Sequence, residues 1–157
     1  LTSNTPLRST KLSSYEGGIR TPLIAHWPKV IKKGKGLTRQ PGHVIDVMAT
    51  CLDLADLKYP TEFQNRRPLP MEGKSLVPIL RGEKRPGHET LAWKNPRGRA
   101  LIMGDWKIIR PGDKIPWELY DLSTDPGETA NLAKRHPDRV KDMSARYETW
   151  RQHVGAR

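Results

Sequence analysis

The spacing of apolar positions changes character along the chain. Before Gly18 they follow no period, and this stretch reads as loop. "TPLIAHWP", residues 21–28, is a continuous apolar run closed by a proline, which predicts a buried strand of about five residues. Past a basic loop, Val47, Met48, Cys51, Leu52, Leu54 and Ala55 make an apolar stripe within "HVIDVMATCLDLADL", predicting a helix over 43–57 of about four turns. Residues 59–71, rich in proline and charge, read as an extended connector, and a short helix over 74–81 closes at Gly82. "TLAWKN", "RALIMGD", "WKIIRP" and "WELYDL" are short β-prone segments parted by turn residues. They predict an antiparallel meander of about four strands within 86–122, turning at "GDWK" and "PGDKIP". Val140, Met143, Tyr147 and Trp150, spaced by three, four and three, mark one face of a helix that begins near His136. It is entered through Pro137 and is expected to pack on the meander.

Strand, loop and helix in that order are the tail of an α/β layer. The predicted fold is therefore α/β, or α+β over this stretch: the end of an α/β layer followed by a small antiparallel sheet covered by a C-terminal helix. A shift of composition near residue 83 divides the chain into 1–82 and 83–157. Each part is too small for a robust core of its own. Trp106 and Trp117, at the edges of β-prone segments, are expected to cap that small core.

Charge narrows the partners. Among 157 residues, 28 Lys and Arg stand against 17 Asp and Glu, a formal net charge of +11 that favours anionic partners. Nucleic acid is not expected, because the basic residues are spread out and accompany no helix-turn-helix, zinc-finger or RNP-like pattern. Only "KVIKKGKG", residues 29–36, is locally dense, and it reads as a solvated loop. No apolar run approaches the roughly 18 residues that span a bilayer. Cys51, the single cysteine, excludes an internal disulfide and is expected to be buried and inert on its helix. The histidines at 26, 43, 88, 136 and 153 include no close pair with ligand spacing. The chain opens on Leu1 rather than methionine, so a processed or truncated chain is expected.

One short stretch suggests chemistry. In "KLSSYEGGIRTP", residues 11–22, Lys11 stands four positions ahead of Tyr15-Glu16-Gly17-Gly18, and Arg20 follows. Adjacent glycines permit positive φ and let other groups approach the main chain closely. A lysine beside such a turn is either a presented cation or a solvated loop residue.

Several motifs together resemble the C-terminal third of a sulfatase of the alkaline-phosphatase-like superfamily, in its arylsulfatase A-like group. They are "SNTPLRSTKLSSYEGGIRTPLIAHWP", "HVIDVMATCLDLA", "GKSLVPILRG", "GDWKIIR", "WELYDLSTDPGETANLA" and the closing aromatic helix, covering essentially the whole chain. The resemblance implies that Lys11 reaches the sulfate group and stabilises the leaving group, with Glu16, Gly17, Gly18 and Arg20 as scaffold. It implies that Glu16 satisfies backbone donors or pairs with an arginine. It also implies a formylglycine nucleophile, made within Cys/Ser-x-Pro-x-Arg, and a calcium ion (Ca2+) held by aspartates and an Asp-Asn pair. None of these is present. Cys51 is followed by "LDLA", and "NTPLR" has asparagine where the nucleophile would be.

The chain is therefore expected to be the end of a sulfate-ester hydrolase, inactive alone and partnered by the missing N-terminal part of the same protein. Its substrate would be a sulfated small molecule or carbohydrate. Export or the periplasm follows by family analogy alone. A phosphonate or phosphodiester hydrolase of the same superfamily, or a non-catalytic basic module that binds polyanions, is the alternative.

Overall fold

The computed structural model describes residues 4–31, 36–96 and 98–156. The densest part of the basic loop, residues 32–35, lies outside them. The chain forms two compact units, one of residues 4–22 with 89–156 and the other Leu23–His88. The later boundary lies close to the expected one near residue 83, but the first 22 residues belong with the C-terminal sheet rather than with the segment that follows them.

In the first unit, β1 (Thr90–Asn95), β2 (Gly98–Met103), β3 (Trp106–Arg110) and β4 (Glu118–Asp121) form an antiparallel sheet in chain order. The meander is as the β-prone segments and the turn residues between them predicted. Gly104, at φ 58°, starts the two-residue connection from β2 to β3, a position that favours a residue without Cβ. In register, Leu101 faces Ile108 and Ile108 faces Leu119, while Ala100 faces Ile109. Alternation then sends successive side chains to opposite faces.

On one face Leu101, Ile108 and Leu119 pack with Met143 and Tyr147 of the helix α4 (Pro137–His153), all five fully buried. Val140 and Trp150 border this cluster, so the expected amphipathic face is the buried one. Trp106 and Trp117 are half-buried against the same cluster. The Trp117 ring stands edge-on to Tyr147 at 5.2 Å, and the Arg139 guanidinium lies 4.3 Å from the Trp106 ring centre. Both tryptophans serve packing. Trp117→Ala is expected to cost about 2 kcal/mol, below the roughly 3–5 kcal/mol of a fully buried aromatic, read as a lower urea midpoint at unchanged slope.

The other face of the sheet is covered by the N-terminal arm: Tyr15 packs with Ala100, Ile109 and Tyr120. This face also carries Lys107, opposite Tyr120 in the ladder.

The second unit holds α2 (Asp46–Leu54) and α3 (Val77–Leu80), both shorter than their sequence patterns suggested. Three expectations fail here. Residues 21–28 form no strand, and Ile24 is 89% exposed. A strand needs a neighbour to take its backbone groups, and none stands beside it among the described residues. The α2 stripe of Val47, Met48 and Leu54 is exposed, and Cys51 with it. The face that α2 buries instead carries Asp46, Ala49 and Thr50.

Asp46 organises that face. Its carboxylate accepts from the backbone N–H groups of His43 (2.9 Å) and Lys74 (2.8 Å), and from Arg85 Nη2 and His88 Nε2, both at 2.7 Å. Thr50 Oγ1 donates to the Asp46 carbonyl and accepts from the Leu76 N–H, tying α2 to α3. Burial pushes the Asp46 carboxyl upward in pKa, but the Lys74 and His43 amides, Arg85 and His88 outweigh it and hold the group at about 2, against an ordinary 3.8. Burial lowers His43, with the Asp46 carboxylate opposing and the neighbouring His88 adding to the lowering. A depressed carboxylate contributes stability that is complete above its unfolded value and is lost as pH falls through its folded value. Acid titration of the unfolding midpoint should show a loss between about pH 4 and pH 2, and Asp46→Asn should flatten part of it.

Candidate functional site

The arm that carries Lys11 is fastened to the sheet at both ends of a short exposed loop. At its start, Arg8 Nη1 donates to the Tyr120 hydroxyl (2.9 Å) and to the Glu128 carbonyl (3.0 Å), and its guanidinium lies 4.0 Å from the centre of the Tyr15 ring. At its end, the Tyr15 hydroxyl donates to Glu118 Oε2 (2.7 Å), which also accepts from Tyr120. Burial, and then the Glu118 carboxylate, push both tyrosine hydroxyls well above their ordinary range, so they remain protonated donors. Ser14 Oγ accepts from Asn95 Nδ2 at 2.8 Å.

Below this lies a buried charged triad. Lys107 Nζ stands 2.8 Å from Glu16 Oε1 and 2.7 Å from Glu128 Oε1, with no exposed lysine or Glu128 side-chain surface. Glu128 Oε2 also accepts the Glu16 N–H at 2.7 Å. Burial raises the Glu128 pKa, and the Lys107 ammonium opposes the rise. Glu128 itself sits at φ 55°, left-handed backbone that is uncommon for a side chain of its size.

Between the fastenings, residues 9–13 bow outward. Ser9 (φ 69°) and Leu12 (φ 72°) are both left-handed, and the Ser13 N–H closes the turn on the Thr10 carbonyl. Lys11 sits at the tip of this turn and is exposed. Among the described residues, no hydrogen bond or ion pair occupies its ammonium. Backbone held in such conformations costs on the order of 1–3 kcal/mol per residue and persists where the surroundings over-determine it.

The expected scaffold residues are placed as follows. Gly17 and Gly18 lie in α1 (Glu16–Ile19), and neither takes the positive φ that adjacent glycines permit. Their other use is realised. A Cβ on Gly17 would stand 2.3 Å from the Ser9 carbonyl oxygen, and one on Gly18 would stand 2.1 Å from that of Ser13. Without side chains there, the helix can lie directly under the Lys11 loop, and the Gly17 N–H reaches the Arg8 carbonyl at 2.8 Å. Glu16 Oε2 lies 3.8 Å from Arg20, which is largely exposed, but its principal partner is Lys107. Asn4 of "NTPLR" donates to the Gly17 carbonyl at 2.6 Å. Its arginine is the Arg8 already described, so both ends of that motif serve the arm's own structure.

The family model of N-sulphoglucosamine sulphohydrolase, C-terminal, matches residues 10–152, from the Lys11 turn to the end of α4. This chain belongs to that family of sulfatase C-terminal regions. An uncharacterized sulfatase of Schizosaccharomyces pombe is 37% identical over 145 residues, which cover 88% of this chain and 26% of that protein. An N-acetylgalactosamine-6-O-sulfatase of Bacteroides thetaiotaomicron is 31% identical over 168 residues, covering 92% and 30%. A solved structure concerned with glycosaminoglycan metabolism by Bacteroides thetaiotaomicron superposes with a TM-score of 0.73 at 27% identity, covering 93% of this chain and 32% of its own. The chain thus spans between a quarter and a third of the length of these relatives.

Sequence reasoning missed Lys107 and Glu128 in this sulfatase region. One signal was available for Lys107: in "WKII" it falls two positions before Ile109, on the same side of a strand whose both faces carry bulky apolar groups. Glu128, in a loop of Asp, Pro, Gly and Thr, carried none.

Proposed function

We propose that this chain is the C-terminal portion of an enzyme that hydrolyses sulfate esters, R–O–SO3⁻ and water to alcohol and sulfate, and that Lys11 is its contact with the sulfate group. The observation that carries the reading is the presentation of Lys11: an unoccupied ammonium at the tip of a left-handed turn, on an arm bound to the sheet at both ends. As the S–O bond breaks, negative charge grows on the leaving oxygen and on the sulfate oxygens. A preformed cation lowers the energy of that state more than that of the bound substrate. The ammonium has three donors on a flexible stem, so it can follow the charge as it moves.

Formylglycine and calcium belong, in this reading, to residues outside the chain. Among the described residues no three His, Cys, Asp or Glu side chains converge so as to hold a cation. The Asn4 motif copies the Pro-x-Arg spacing of the nucleophile pattern, but its asparagine side chain bonds to the Gly17 carbonyl. No step is therefore assigned here to either group. The remainder of the enzyme is also the natural cover for the exposed apolar surface of the Leu23–His88 unit, where Ile24, Val47, Met48 and Leu54 face solvent.

The test is a turnover assay on the full-length protein with an aryl sulfate, N-acetylgalactosamine-6-sulfate and a phosphonate monoester. Sulfate-ester turnover is expected, with none from the 157-residue chain alone. Faster turnover of the phosphonate would replace this reading with the phosphonate hydrolase, and hydrolysis by the isolated chain would refute the division of labour.

A further inference from the structure

We propose that Glu128 and Lys107 are positioning residues, and that the antiparallel sheet sets where the Lys11 ammonium stands. The proposal rests on the reading of Lys11 as the sulfate contact. Its own support is geometric. The triad joins the arm at Glu16 to β3 at Lys107, 91 residues away, and to the loop after β4 at Glu128, 112 residues away. Glu128 fastens both ends of the Lys11 loop: its carbonyl accepts from Arg8, and its carboxylate accepts the Glu16 N–H. Residues 9–13 lie between these two points, and the Ser14–Asn95 and Tyr15–Glu118 bonds hold the same end of the loop to the sheet. A displacement of either fastening therefore moves the tip.

The chemistry of the triad argues for position over net stabilisation. Two acidic side chains share one lysine, and all three are almost fully buried away from water. Buried ion pairs of this kind are often no more stabilising than apolar groups of similar volume. What they add is direction. Lys107 must point at both carboxylates, and Glu128 must serve Lys107 with one oxygen and the Glu16 amide with the other. An apolar plug would hold the arm against the sheet without specifying its register.

Glu128→Gln tests this in the full-length enzyme. The amide keeps the shape but has one acceptor oxygen, so it cannot serve both Lys107 and the Glu16 N–H. Assayed on an aryl sulfate well below the melting temperature, the variant should lose about tenfold or more in kcat, with KM within about twofold, because misplacement of roughly an ångström is costly in the transition state. The decisive measurement is the double variant. If Glu128 acts through Lys11, Lys11→Ala with Glu128→Gln should be within about twofold of Lys11→Ala alone. Where Glu128→Gln does not fold, Tyr15→Phe removes the hydroxyl that ties the same end of the loop to Glu118 on the sheet, and should show a smaller loss with the same coupling. Losses that multiply in the double variant, or unchanged kcat in both Glu128→Gln and Tyr15→Phe, would overturn the positioning role. Wild-type kcat in Lys11→Ala would instead remove the sulfate-contact reading, and that result is visible in the single variant.

Discussion

Lys11→Ala in the full-length enzyme is expected to lower kcat on an aryl sulfate by on the order of 100-fold or more, the scale of losing one preorganised stabilising group. The loss should fall on kcat rather than on KM, because in the proposed role the ammonium meets its full complement of charge only as the S–O bond breaks. Lys11→Arg should recover part of the rate: the charge is restored, but a planar fork on a turn shaped for a point charge cannot track the same oxygens. Neither change should disturb folding, since the side chain is exposed and makes no hydrogen bond or ion pair among the described residues. Melting temperatures equal to wild type, beside a collapsed kcat, would separate this role from a structural one. Wild-type kcat would return Lys11 to the status of a solvated loop lysine.

Asp46→Ala should be the most damaging single change to the Leu23–His88 unit. The Asp46 and Arg85 side chains are 0% and 3% exposed, and the carboxylate also takes two backbone N–H groups and His88. Removing it leaves the buried Arg85 guanidinium without its carboxylate partner and the His43 and Lys74 amides without their acceptor, a situation that costs roughly 3–5 kcal/mol. Asp46→Asn keeps the volume but supplies one acceptor oxygen, so it should fall between alanine and wild type. Urea unfolding at neutral pH gives the ordering. An Asp46→Ala protein as stable as wild type would show that α2 is held by something other than its polar face.

This second prediction could not have been reached from the chain's periodicity. The stripe of Val47, Met48, Cys51 and Leu54 is a helical stripe, as its spacing indicated, and α2 is a helix. The error lay in the next step, from stripe to buried face. Period tells which residues share a side of a helix; it does not tell which partner covers that side. In this unit the covered side is the one with Asp46, Ala49 and Thr50, because the groups able to satisfy Asp46 arrive from residues 74, 85 and 88. Residues 21–28 failed for the same reason. A strand is a property of a pair, and its apolar run describes only one member.

The sequence by itself determined the elements whose signals are local. The β-prone segments that became β1 to β4, the turn residues between them and the three-four-three spacing on α4 were enough to place the sheet and its covering helix. Short-range chemistry also marked Lys11 and the two glycines behind it, since close approach of backbone to backbone demands residues without Cβ. Only the tertiary structure decided what holds that lysine in place. Glu16, Lys107 and Glu128 are each unremarkable in their own neighbourhoods, and they become a unit only because the arm lies across the face of the sheet opposite α4. Lys107 and Glu16, 91 residues apart, and the Glu16 N–H with the Glu128 carboxylate, 112 apart, leave no periodic trace, because the pairing is enforced by burial and not by chain geometry.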